Sequence, residues 1–209
     1  MVATIPASAV LSDGPWRSGA GGTIWNGEAG LARGSRLTWR WAPLRSLVNL
    51  AFAVDWRASG SGTDLGGRAL MGLSATTIED MTGTADGTLL QAVQPDLPFT
   101  CDMVMQVDFP RVRVGGDEQM VAGRLATDAG SCAPKRGGAP TAIGPMMLTG
   151  EAIGAESRLR LVPATQRLRT LMAIVLTQDG TVTLSMTPEG ATALPFTGLP
   201  GGASIKGQI

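Results

Sequence analysis

The chain has 209 residues, of which 44% are hydrophobic and 16% charged, so it can bury a substantial core and is not a disordered polymer. Formal net charge is zero, which removes the clustered basic surface that nucleic acid requires. Histidine and tyrosine are absent, so the commonest general base, metal ligand and neutral-pH switch are missing, and enzymatic chemistry starts at a disadvantage.

Twenty-nine glycines and thirteen prolines without a repeat period indicate many turns between short strands. Residues 1–21 read as an extended lead-in, with Asp13-Gly14-Pro15 a turn. Asn26-Gly27 suits both centres of a type I′ turn, predicting a hairpin that joins 23–25 to 28–31. In 36–42, Leu37, Trp39 and Trp41 alternate with Arg36, Thr38 and Arg40, a strand with one face toward a core. Residues 44–48 bridge to a second strand over 49–58, where Leu50, Phe52, Val54 and Trp56 share a face. A turn at Gly60-Ser61-Gly62 leads into a third strand over 66–75, completing a meander. The pattern changes at Thr77, and 88–93 suits a short helix stopped by Pro95 and Pro98.

In the second half, Cys101, Met103, Met105, Val107 and Phe109 line one face of a strand continuing to 114, and 119–127 returns. The Gly-, Pro- and Ala-rich stretch 129–145 reads as a long mobile loop. Strands follow at 158–162, 167–177 and 181–187, the last two joined by Asp179-Gly180, and 203–209 adds a closing edge strand. The fold class is therefore mainly β, with curved antiparallel meanders packed as a sandwich or open barrel and one short helix. One domain over 1–209 is expected, or two β halves at about 22–95 and 100–209.

Cys101 and Cys132 form a disulfide, in an oxidising compartment such as the periplasm, or stay two unrelated buried thiols. A bridge would stabilise the fold by about 3–4 kcal/mol in the chain-entropy model. Trp39, Trp41 and Trp56 are expected as cross-strand core aromatics and Trp25 as a partly exposed ring beside the turn, as is Trp16. Asp102 and Asp108 share a strand face but lie roughly 20 Å apart, too far for a catalytic pair. Glu79-Asp80 and Asp117-Glu118 read as turn and surface chemistry. No Gly-x-Ser-x-Gly elbow is present, two cysteines alone cannot hold zinc, and no cofactor or metal is expected. Ten methionines fill the core of a chain poor in aromatics, or line an adaptable groove.

Three pieces in order carry a family resemblance: Ile5-Pro6-Ala7-Ser8, then Gly22-Thr23-Ile24-Trp25-Asn26-Gly27-Glu28-Ala29, then Leu37-Thr38-Trp39-Arg40-Trp41-Ala42-Pro43-Leu44. Together they resemble the start of the periplasmic part of type II secretion system protein N, the GspN family. The resemblance spans roughly the first third of the chain. It implies a non-enzymatic periplasmic component of the type II secretion machinery, binding other secretion components during export of folded proteins across the outer membrane. In that family the first of these pieces follows an N-terminal membrane helix, so the resemblance also implies anchorage in the bacterial inner membrane through a helix upstream of Met1; no stretch here itself approaches the ~20 apolar residues that span a bilayer. The alternative expectation is a periplasmic β-groove carrier of lipid or another apolar ligand.

Overall fold

The computed structural model describes residues 5–10, 17–31, 34–93, 96–116 and 119–208. Its first half runs α1 (Ala7–Val10), β1 (Arg17–Gly22), β2 (Asn26–Leu31), β3 (Arg36–Trp41), α2 (Pro43–Asn49), β4 (Phe52–Gly60), β5 (Thr63–Met71), β6 (Ala75–Asp86), α3 (Gly87–Val93) and β7 (Phe99–Asp102). The second half runs β8 (Val104–Gly115), β9 (Met120–Thr127), β10 (Gly130–Pro134), β11 (Thr141–Ile143), β12 (Met146–Ile153), β13 (Glu156–Pro163), β14 (Met172–Thr177), β15 (Thr181–Met186), α4 (Pro188–Ala193), a 3₁₀ turn at Pro195–Thr197 and β16 (Ser204–Gln208).

Thirteen strands form one antiparallel sheet in the order β1-β2-β3-β4-β5-β6-β8-β9-β12-β13-β14-β15-β16, and β11-β10-β7 form a small second sheet. The large sheet is a meander that does not close into a barrel, because β1 and β16 are opposite edges. Sheets this wide curl, and register shifts at Ser18/Ala20, Gly66/Arg68 and Asp108/Arg111 supply local bends.

Period-two alternation explains the packing. Leu37, Trp39 and Trp41 of β3 lie opposite Ala58, Trp56 and Val54 of β4, so a single apolar face runs across the ladder. At its centre Leu31, Ala58, Leu65, Val107 and Phe109 are buried together, with Leu89 of α3 packed on them. The other face carries ion pairs across strands: Arg57 with Asp64, Arg111 with Glu79, Arg124 with Asp108, and Arg68 with Asp80. They are largely exposed, so they fix register more than they stabilise.

A meander places alternate connections at opposite ends of the sheet. One end, here the turn end, carries residues 23–25, α2, 72–74, 154–155 and 178–180. The other, the capped end, carries the longer excursions: α3, β7, β10, β11 and α4. A second buried cluster sits there, built from Cys101, Cys132, Ile143, Met146, Leu171, Met186, Leu194 and Phe196. Thr187 caps α4 by accepting a bond from the Gly190 amide, and Asp86 caps α3 through the Thr88 and Leu89 amides.

Several local expectations need correction. The stretch 129–145 is not a long mobile loop: β10 and β11 occupy it, and β10 is held by β7 on one side and β11 on the other. Residues 77–86 continue as a twelve-residue strand, β6, whose ladder with β8 joins the two halves of the chain. β12 at 146–153 was not expected, and β14 begins only at Met172. Four short α-helices occur among the described residues rather than one. Leu50, expected in a strand, instead ends α2 in the left-handed region, with φ 48°. The turn at 13–15, Trp16, Pro95 and Asp117-Glu118 lie outside the described residues.

Candidate interaction surface

Asn26 and Gly27 do not form the hairpin turn. Both lie in β2, where Asn26 pairs with Arg40 and Gly27 with Trp39. The chain reverses over Thr23–Trp25 instead: the Thr23 amide donates to the Asn26 carbonyl at 2.8 Å, and the Asn26 amide donates to Thr23 Oγ1 at 3.2 Å. Gly22, with φ 79°, takes the left-handed conformation that the Asn-Gly pair was expected to supply. The reason lies on the neighbouring strand. The Trp39 ring lies over Gly27, and a Cβ there would also approach the Gly21 carbonyl oxygen to 2.7 Å. Gly27 is thus the smooth patch on which an indole rests.

All four described indoles are half-buried. Trp39 faces Trp56 across β3 and β4, and its Nε1 donates to the Ile24 carbonyl at 3.1 Å, tying the first turn to the sheet. Trp41 Nε1 donates to Ser46 Oγ at 2.9 Å. Trp25 lies against Trp41, ring centroids 4.6 Å apart, and against Phe52 at 5.7 Å. Trp56 packs against the central cluster.

Cys101 and Cys132 are bonded. They are direct partners across β7 and β10, with Cα atoms 4.1 Å apart, and both are buried in the capped-end cluster. The bridge ties the small sheet into the same core as β12 and β14. A disulfide in a protein that must persist belongs to an oxidising compartment.

Of the carboxylates weighed from sequence, Glu79, Asp80 and Asp108 are engaged in separate ion pairs rather than gathered, and Asp102 lies apart from Asp108, on β7. Glu79 accepts from Arg111 at 3.0 Å, Asp108 from Arg124 at 2.9 Å, and Asp80 pairs with Arg68. The hydrogen bond from Arg57 holds the Asp64 carboxyl below the usual range. The Thr177 hydroxyl, followed by the Thr181 amide and hydroxyl, does the same for Asp179 at a turn. No group of three or more metal-ligating side chains occurs among the described residues.

What the sheet offers is surface. The chain exposes 11783 Å², against about 9,200 Å² for a compact monomer of its mass, as an open sheet should. Depressions on it, such as one near 270 Å³ between β12, β13 and β14, are shallow and open. The two sheet edges differ. β1 is interrupted by a bulge and is half glycine, features that discourage further pairing. β16 pairs with β15 over five successive positions without a shift and is exposed at each of them. Its outer groups face solvent on a regular, extended strand. Sequence reasoning anticipated this edge and missed the small sheet, whose strands β10 and β11 lie within the Gly-, Pro- and Ala-rich stretch 129–145 and lack alternation.

Comparison with known proteins agrees with this picture. The family model for type II secretion system (T2SS), protein N, matches residues 14–202, nearly the whole chain. No curated protein and no solved structure matches it. The chain therefore belongs to the type II secretion system protein N family, and is a structural, non-enzymatic component of the type II secretion machinery.

Proposed function

We propose that this protein works as a periplasmic docking platform within the secretion machinery, receiving an extended segment of another secretion component at the outer edge of β16. The observation that carries this is the edge itself: five exposed, regularly paired residues with no bulge or proline to blunt them. Strand addition there draws affinity from main-chain hydrogen bonds and specificity from alternate side chains such as Ile205. The disulfide and the family both fit a periplasmic location. We further propose that an inner-membrane helix preceding these residues anchors the protein. Among the described residues no helix is long and apolar enough to cross a membrane. The whole chain acts as one domain in this reading, supported by the long β6–β8 ladder between its halves. The tryptophans serve as folding anchors rather than as recognition groups.

The test is site-specific photo-cross-linking in actively secreting cells. A probe at Lys206 on the β16 edge captures a secretion component, whereas one at Arg160, exposed on a central strand, does not. Capture from Arg160 with none from Lys206 would refute edge docking.

A second reading, a carrier of lipid or another apolar ligand, is favoured by the continuous apolar face of the open sheet. Native mass spectrometry of the purified protein separates the two. Stoichiometric lipid supports the carrier, and a lipid-free chain that still cross-links through β16 supports the platform.

A further inference from the structure

Exposed apolar residues are unevenly distributed between the two ends of the sheet. Of twelve large hydrophobic side chains exposed among the described residues, nine lie at the turn end. The strongest concentration is α2. Leu44, Leu47 and Val48 are spaced i, i+3, i+4, so they share one helical face, and they are 79%, 73% and 82% exposed. That face points outward. Ser46, a polar residue of the same helix, points inward and accepts bonds from Trp41 Nε1 and the Ala53 amide. The helix is therefore amphipathic in the inverted sense, with its apolar stripe in water. Leu50, 89% exposed, follows in the left-handed conformation where glycine is the norm, so an apolar side chain is kept at a strained position that packs on nothing. Leu73, at the tip of the β5–β6 turn, is fully exposed.

We propose that this end of the sheet rests on a lipid bilayer, with the outward face of α2 and the Leu73 tip entering the headgroup region. Three observations select a bilayer over a protein partner. The segments 42–51 and 71–75 contain no carboxylate, and their one charged residue, Arg45, is paired with Asp55 of β4, so the outward face of α2 and the Leu73 tip bring no unpaired charge to be desolvated in a lipid layer. Apolar tips on separate, short connections suit a fluid layer that needs no matching shape, whereas a docked protein calls for a polar rim with directional bonds. Directly beneath α2, Trp25 and Trp41 lie against each other at a 54° tilt with their indoles half-buried, where aromatic rings gather at a membrane interface. This contact is separate from the proposed anchor and can be measured without it.

The experiment is flotation of the purified 209-residue chain with vesicles of phosphatidylethanolamine and phosphatidylglycerol. The wild type floats with the vesicles. Leu47→Asp with Val48→Asp lowers the bound fraction about ten-fold, with the melting temperature unchanged because neither side chain is buried. Leu168→Asp, at an exposed position of the capped end, binds like wild type. Should the double variant melt early, Leu73→Asp gives the reading, with a loss of about three-fold expected. Absence of flotation by the wild type overturns the proposal. So does equal loss from Leu168→Asp, unchanged binding by Leu73→Asp, or a self-association removed by the double variant with no vesicle binding.

Discussion

Cutting the Cys101–Cys132 bridge removes a constraint on the unfolded chain and leaves the folded contacts almost unchanged. The bridge spans 31 residues, and closing a loop of that length costs the unfolded state about 3.7 kcal/mol at 25 °C in the chain-entropy model. Unfolding a chain of 209 residues at ~2.1 cal/mol/K per residue involves about 0.44 kcal/mol/K, so the melting temperature falls by roughly 8 °C. The assay is thermal unfolding of the wild type and of the Cys101→Ser, Cys132→Ser double variant, each with and without reductant. The near-ultraviolet signal of the tryptophans, which lie in the first half of the chain, reports whether the loss is global. The expected result is a drop of about 8 °C for the double variant and for the reduced wild type, with the variant indifferent to reductant. A shift under about 2 °C in both would refute the reasoning, because the capped end would then hold its sheet without the bridge.

Gly27→Ala should destabilise by about 1–3 kcal/mol, since the new methyl group meets the Trp39 ring and the Gly21 carbonyl; urea midpoints measure it. Trp39→Ala should cost about 3 kcal/mol, at the low end for a tryptophan truncation because the ring is half-buried, and should also loosen the first turn by removing the bond to Ile24. Stability should be level from about pH 6 to 8 because the chain has no histidine. It should fall in acid. Asp64 and Asp179 have folded values held below their unfolded ones, so their contribution is complete above about pH 4–5 and is lost as pH falls through the folded values. Melting curves of an Asp64→Asn, Asp179→Asn variant should show a shallower acid limb.

The strands that sequence reasoning located best are those with one wet and one dry face. In β3, and in β4 from Val54 onward, the sequence alternates and the ladder keeps the apolar residues on one face. β6 was hidden because Thr76, Thr77, Thr82 and Thr84 blur the contrast between faces, and a bulge opposite Gly66 and Arg68 interrupts the period. β10 and β11 were hidden for another reason. Glycine, alanine and proline give no alternation, and their strand form depends on β7 and the disulfide, which are contacts distant in sequence. α2 escaped because its apolar stripe faces water, where a core-seeking pattern would place polar residues. The Asn-Gly signal was local and was overridden by an indole arriving from the next strand. The β16 edge was legible as the last strand of a meander. The turn-end surface was not, because exposure of a leucine is decided by what fails to cover it.

Membership in the secretion machinery is tested most directly by export itself. A strain lacking this protein is compared with one expressing it, by partitioning a folded substrate of the type II pathway between the medium and the periplasm. The substrate should accumulate in the periplasm without the protein and return to the medium on complementation. Undiminished export from the deletion strain would contradict the account.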